Sequence, residues 1–401
     1  MTGPTTDRLH GLDALRGGAL LLGVLLHASL SFFPDQTWIT HDASRSIGAA
    51  WLFFAIHLFR MTAFFMIAGL FAHMMIARRG WLGFAKDRAI RITGPLLVFW
   101  FPAMAGIITA LVWNAWANGM VTPGAPAPPP PTYDWTNFPL THLWFLYVLS
   151  LFCVALLVLR APFAALDRQG AWGGIVDRVT GALIGWHTPV VLAAPLAIAF
   201  WLDPQWVVFF AVPTPDAGLI PNAAALTGFG LAFGLGVLLD RRRDLLDRIA
   251  RAWPVYLLAA VASGVWGYAL AGGPMLTPMA EPTVAKALAA AVMAVAVYAS
   301  AFAVMALCLH FLSGHSPMRR YLADSSYWVY ILHLPLVMLA QVQVQDWAAP
   351  WWLKLGGVTL GVLAVCLLTY ELLIRHSFMG RWLNGRRVPW RQRVPAATPA
   401  E

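Results

Sequence analysis

The sequence predicts an all-α, polytopic membrane protein of about ten transmembrane helices with both termini cytoplasmic, and three observations carry that prediction. The chain is 60% hydrophobic and only 11% charged, with a mean hydropathy of +0.67, outside the range of a soluble globular domain. Apolar stretches of about 20 residues, the length that crosses a hydrocarbon core of about 30 Å, recur along it. Between those stretches the basic residues alternate: all but Arg45, Lys286, Lys354 and Arg60 of the 27 fall on one face, as they do where Lys and Arg stay cytoplasmic.

The first span, over 12–33, follows Arg8 and Arg16 with no small-residue cleavage site, so it is expected to be retained rather than removed as a signal. The second, over 47–77, stops at Arg78 and Arg79 and exceeds one perpendicular crossing, so it must tilt or begin with an interfacial turn. The third, over 92–117, follows the cluster Lys86, Arg88 and Arg91 and carries Pro95 near its start. Ala125 to Pro131, reading APAPPPP, cannot be helical and predicts an extended outer connection to the fourth span, over 140–160. Spans at 186–202, 219–239, 254–272 and 284–312 follow, with short Pro- and Gly-containing outer connections such as 203–218 and 271–282 that leave no room for a soluble domain. The ninth, over 323–345, is expected to open on the N-cap cluster Asp324-Ser325-Ser326, and the tenth covers 351–376. Residues 1–385 thus form a single transmembrane domain, and 386–401 a basic tail predicted to be disordered or surface-associated.

A net charge of +9 does not imply nucleic acid here, because the basic residues are spread over loops where topology and anionic lipid explain them. Cys153, Cys308 and Cys366 lie inside spans with no metal-ligand spacing, and no metal site is expected.

The informative residues are the polar ones in apolar helices. Arg16 and His27 are eleven positions apart, which returns them to within about 20° of one helical face and separates them by about 16 Å along the axis. Arg16 then lies near the inner surface and His27 at mid-depth. Asp13 stands at i−3 from Arg16, placed to pair with it, while the bland alternative is an arginine snorkelling to headgroups. In the second span His57 and Arg60 share a face, and a buried arginine needs an anion, either a ligand or a fixed acid such as Glu371 or Asp13. In the ninth, His333 reaches a depth close to that of His27, with Tyr330 on the same face and Pro335 loosening the helix. His142 and Trp144 open the fourth span at the outer interface, where aromatic residues anchor anyway. Glu371 can pair with Arg375 at i+4.

Taken together, GLDALRGGALLLGVLLH, FRMTAFFMIAGLF, RAIRITGP, HLWFLY, SSYWVYILHLPL and YELLIR resemble, in that order, the integral membrane acyltransferase family 3, and most its osmoregulated periplasmic glucan succinyltransferase branch. The resemblance implies a ten-helix enzyme of the bacterial inner membrane that moves an acyl group from cytoplasmic acyl-CoA to a hydroxyl of an extracytoplasmic glycan. Carried over by motif, the family's Arg-x10-His falls on Arg16 and His27, its arginine after the outer loop on Arg60, and its inner-loop arginines on Arg88 and Arg91. The usual Ser-Gly of the second helix is Ala68-Gly69 here, and the sequence shows no fused esterase-like domain, so an acceptor is expected to reach the pore itself or be presented by a partner protein.

The expected machinery is therefore His27 as general base or acyl carrier, with Arg60 or His333 on the oxyanion. Arg16, Arg88 and Arg91 would hold the donor phosphates, with Asp13, His57, His142, Tyr330 and Glu371 in support. The expected partners are succinyl-CoA or acetyl-CoA as donor substrate, a glycan acceptor and the lipid bilayer; no bound cofactor is expected, and homo-oligomerisation stays open. A transporter or flippase for a small anionic or glycan-linked substrate would use the same buried ionisable groups, but the paired repeats and interrupted helices of such proteins are not found. A glycan-binding scaffold without catalysis is the third reading.

Overall fold

The computed structural model describes residues 10–34, 38–121, 131–166, 171–385 and 388–389. The proline-rich stretch before Pro131 and most of the basic tail lie outside the described residues. Within them the fold is helical, with one isolated bridge between Pro139 and Ala217 in place of any strand. The helices are α1 (His10–Ser29), α2 (Ile47–Arg88), α3 (Gly94–Ala117), α4 (Trp144–Leu166), α5 (Ala171–Leu183), α6 (Thr188–Leu202), α7 (Ala223–Arg241), α8 (Leu245–Arg251), α9 (Trp253–Leu270), α10 (Val284–Phe311), α11 (Pro317–Val344), α12 (Trp351–Thr369) and α13 (Phe378–Asn384). Turns of π-helix at Ala89–Thr93 and Tyr370–Ile374 join α2 to α3 and extend α12.

Eight of the described helical stretches are long and apolar enough to cross a membrane, and the bent pair of α5 and α6, at 99°, makes a ninth. One of the eight, Ile47–Ala117, runs 71 residues, roughly 105 Å if straight, which is enough for two crossings. It divides at Gly80, whose φ of 69° is left-handed and lies directly after the Arg78-Arg79 stop. With that division the count reaches the ten expected from the sequence.

The deeply buried helices are α1, α10 and α11. α1 packs on α2, α10, α11 and α12, so the helix carrying Arg16 and His27 runs through the middle of the bundle. Without a hydrophobic force between helices in lipid, close backbone approach supplies the packing, and small residues permit it. Gly69 of α2 lies against the carbonyl of Phe233 on α7, and Gly236 of α7 against that of Met66, so a Cβ at either would meet backbone. The Gly69 of the Ala68-Gly69 pair is thus a contact point rather than a polar site.

Two expectations require correction. The Asp324-Ser325-Ser326 cluster does not cap α11, which starts two turns earlier at Pro317 under the Ser316 hydroxyl. The hydroxyls of Ser325 and Ser326 instead donate back to the carbonyls of Leu322 and Ala323 inside the helix. Trp144 is not an interfacial anchor: it is buried and stacks on Phe229 at 5.5 Å.

The outer connection from α1 to α2 is pinned by a fully buried ion pair. Lys354 of α12 donates to both carboxylate oxygens of Asp42 at 2.9 Å and to the carbonyl of Gln345 at 3.1 Å. Both side chains are 1% exposed. Removing one partner strands a buried charge, so Asp42→Ala is expected to lose about 3–5 kcal/mol of stability in detergent unfolding, and Asp42→Ala with Lys354→Met distinctly less. Equal losses in the single and double variants would show that the pair does not hold the loop.

Candidate active site

Four elements converge on an outer cavity of about 550 Å³. α1 brings His27, α2 brings His57 and Arg60, the turn before α4 brings His142, and α11 brings Tyr330 and His333. The rings of His27 and His333 lie 5.2 Å apart, and those of His333 and His142 lie 5.3 Å apart, edge to face.

Local backbone chemistry orients each ring. Pro335 has no N–H, so the carbonyl of Ile331 one turn earlier loses its helical partner, and His142 Nε2 sits 3.1 Å from it. A carbonyl only accepts, so that nitrogen carries the proton. Thr141, with φ of 52°, makes the left-handed turn that delivers His142, its own N–H donating to the carbonyl of Asp216 at 3.0 Å. His333 Nδ1 donates to the carbonyl of Tyr330 at 2.7 Å, which leaves Nε2 a lone-pair acceptor, buried and without a partner. His27 Nδ1 is likewise buried and unpartnered. His57 donates to the carbonyl of Val212 at 3.3 Å and stacks on Phe53.

Arg60 is 8% exposed and has no hydrogen bond or ion pair among the described residues. Neither acid considered for it is available: Asp13 pairs with Arg16 at 3.6 Å, and Glu371 pairs with Arg375 at 2.8 Å and His376 at 3.3 Å. Glu371 lines neither cavity, so the structure does not bring it to the site. A Cβ at Gly23, one turn before His27, would fall on Arg60 Nη1 and lie 3.6 Å from His333 Nε2. The bare glycine therefore lets the guanidinium lie directly against α1, beside the His333 ring.

Three groups that sequence reasoning missed complete the arrangement. Gln341 of α11 donates to the carbonyls of His27 and Ala28 at 3.0 and 3.2 Å, satisfying groups the end of α1 leaves open, and accepts from the Trp38 indole at 2.7 Å. Trp38 in turn stacks near the His27 ring, with centroids 6.1 Å apart. A glutamine inside an apolar span was a signal that could have found the first of these. On the inner side the buried carboxylate of Asp87 gathers Arg88 at 2.6 Å, Arg79 at 3.2 Å and Arg91 at 3.3 Å, and its i+4 spacing to Arg91 was readable.

Arg16, Arg88 and Arg91 do come together, with Arg78 and Arg79, around an inner cavity of about 420 Å³. Tyr327 adds a hydrogen bond from its hydroxyl to the Arg91 carbonyl at 2.6 Å. The structure has two cavities end to end. Phe145 and Tyr330 line both, their rings edge on at 5.7 Å, and the Tyr330 hydroxyl donates to the His142 carbonyl at 2.6 Å.

A family model described as an acyltransferase domain, of the acyltransferase 3 type, matches residues 9–371. Among curated proteins the chain is similar to the "Glucans biosynthesis protein C" of Escherichia coli K12 and of Escherichia coli O1:K1, at 30% identity over 149 residues in each case. That match covers 36% of this chain and spans about a third of the length of those relatives, 36% of each. No solved structure matches the chain significantly.

Because nothing among the described residues pairs with Arg60, Arg60→Met is expected to be at least as stable as the parent in thermal unfolding. A loss of about 3–5 kcal/mol would instead show that a fixed carboxylate depends on it.

Proposed function

The chain belongs to the acyltransferase 3 family of integral membrane acyltransferases, and we propose that it carries an acyl group from cytoplasmic acyl-CoA to a hydroxyl of an extracytoplasmic glycan. The observation that carries this reading is the grouping, in one cavity, of a His27 Nδ1, a His333 Nε2 and an Arg60 guanidinium that have no partner among the described residues. Transfer of an acyl group between oxygen and sulfur needs a base and an oxyanion partner, and these are the two kinds of group left open.

In this reading His27 takes the proton of the acceptor hydroxyl, and the oxygen attacks the thioester carbonyl. The developing oxyanion falls to Arg60 rather than to His333, because the neutral tautomer of His333 offers the cavity a lone pair and no proton. As the carbon–sulfur bond breaks, His27 returns its proton to the departing thiolate, so the products are an ester and free coenzyme A. The inner arginines suit the donor's phosphates, with the pantetheine arm running outward past Tyr330. Passage of that arm requires the Tyr330 and Phe145 rings to part. The basic inner loops support an inner-membrane orientation with both termini cytoplasmic, and the relatives' name supports a glucan acceptor, succinyl or acetyl being the group moved.

Two measurements test the reading. Purified protein in nanodiscs is expected to release thiol from acetyl-CoA or succinyl-CoA in the presence of glucose oligomers, and His27→Ala to lose about 10²–10⁴-fold of that rate with its unfolding temperature unchanged. Full activity in that variant contradicts the assignment, and binding of glycan without thiol release from any donor would favour a scaffold. Gly23→Val collides with the Arg60 guanidinium and displaces it, and is expected to cost on the order of a hundredfold in the same assay. An unaffected rate would place the reacting carbonyl elsewhere.

A further inference from the structure

The inner mouth holds a second concavity that the steps above leave unused. A groove of about 600 Å³ lies where the end of α2 meets α13, lined by Arg79, Lys86, Arg91, Arg381 and Trp382 with Asp87. Four cations there face one carboxylate, and that carboxylate is already shared among Arg79, Arg88 and Arg91. Lys86 and Arg381 have no ion pair among the described residues, and both are exposed. Such an excess of positive charge in a concave site draws a multiply charged anion.

The groove is also built rather than incidental. The Trp382 indole donates to the Ile90 carbonyl at 2.6 Å, which ties α13 across the turn that follows α2. Asn384 donates to the Asp324 carbonyl at 2.9 Å, tying the same helix to α11. Gly385, at φ of 76°, ends α13 in the left-handed region, and a Cβ there would coincide with the guanidinium of Arg91. Arg91 is thereby held between Asp87 and the end of α13. Arg79 and Arg91 line both this groove and the inner cavity, so the two spaces adjoin through their guanidinium groups.

We propose that this groove binds a phosphate monoester, and that in the working enzyme this is the 3′-phosphate at the nucleotide end of the acyl donor. The proposal rests on the acyl-CoA reading above and extends it. A lipid headgroup phosphate shares the chemistry, but the groove's continuity with the cavity assigned to the donor favours the nucleotide. A monoester dianion gains more than a lipid's diester monoanion from several guanidinium and ammonium groups at once.

The test compares acyl-CoA with its 3′-dephospho analogue in nanodiscs of phosphatidylcholine, with and without phosphatidylglycerol. The parent protein is expected to favour the phosphorylated donor by about tenfold or more in kcat/KM, the worth of one charge-assisted contact. Lys86→Gln and Arg381→Gln, both at exposed positions, are each expected to shrink that preference while leaving the rate with the dephospho donor nearly unchanged. Equal use of the two donors by the parent overturns the proposal and leaves the acyl-CoA reading standing. So does a preference that survives in both variants. A dependence on phosphatidylglycerol that the variants abolish, without donor discrimination, assigns the groove to lipid and also overturns it. Absence of thiol release from either donor removes the proposal together with the reading beneath it.

Discussion

Arg60 stands in the interior of a helical membrane bundle with no carboxylate among the described residues in ion-pair contact with it, Asp216 being the acid that lines the same cavity, and the rest of the site is organised around that condition. An uncompensated guanidinium in an apolar interior is costly, and it persists where a cavity admits water or a ligand anion. The cavity beside it is bounded by four imidazoles, two of which present nitrogen atoms that no group among the described residues satisfies. Buried polar atoms left open in this way are uncommon in folded proteins, and their concentration at one point is what supports reading it as the reaction site.

The surrounding helices hold that open network in register. Pro335 releases a carbonyl that fixes one imidazole, the Tyr330 carbonyl fixes another, and Gln341 grips the end of α1 at the third. Each of these is a hydrogen bond to backbone rather than to another side chain, so ring orientation follows helix placement. Helix placement in turn depends on close contacts such as Gly69 with Phe233 and on the buried pair of Asp42 with Lys354, far from the chemistry.

Much of this was legible in the sequence because lipid makes the signals loud. Apolar length and basic loops located the spans, and the eleven-residue interval between Arg16 and His27 placed one residue at each of two depths that the structure now shows as two cavities. Local pattern failed where tertiary packing decides. Ser325 and Ser326 read as a cap, yet α11 begins earlier because Ser316 and Pro317 supply a better one. Trp144 read as an interfacial ring, yet it is enclosed by Phe65, Phe145 and Phe229. Gln341 lies 314 positions from the carbonyl it binds, and no spacing rule reaches that far. The ring contact of Tyr330 with Phe145, residues that line both cavities, is likewise a product of two helices meeting, invisible in either alone.

The proposed transfer is vectorial: a donor held by the inner arginines and an acceptor admitted from the opposite face meet at His27 and Arg60. Sealed inverted membrane vesicles carrying this protein, loaded with a glucose oligomer and given acyl-labelled acyl-CoA outside, test it directly. Label is expected on the enclosed oligomer, in sealed vesicles, with none on the same oligomer supplied outside. Label appearing only on the external oligomer would rule out transfer across the membrane.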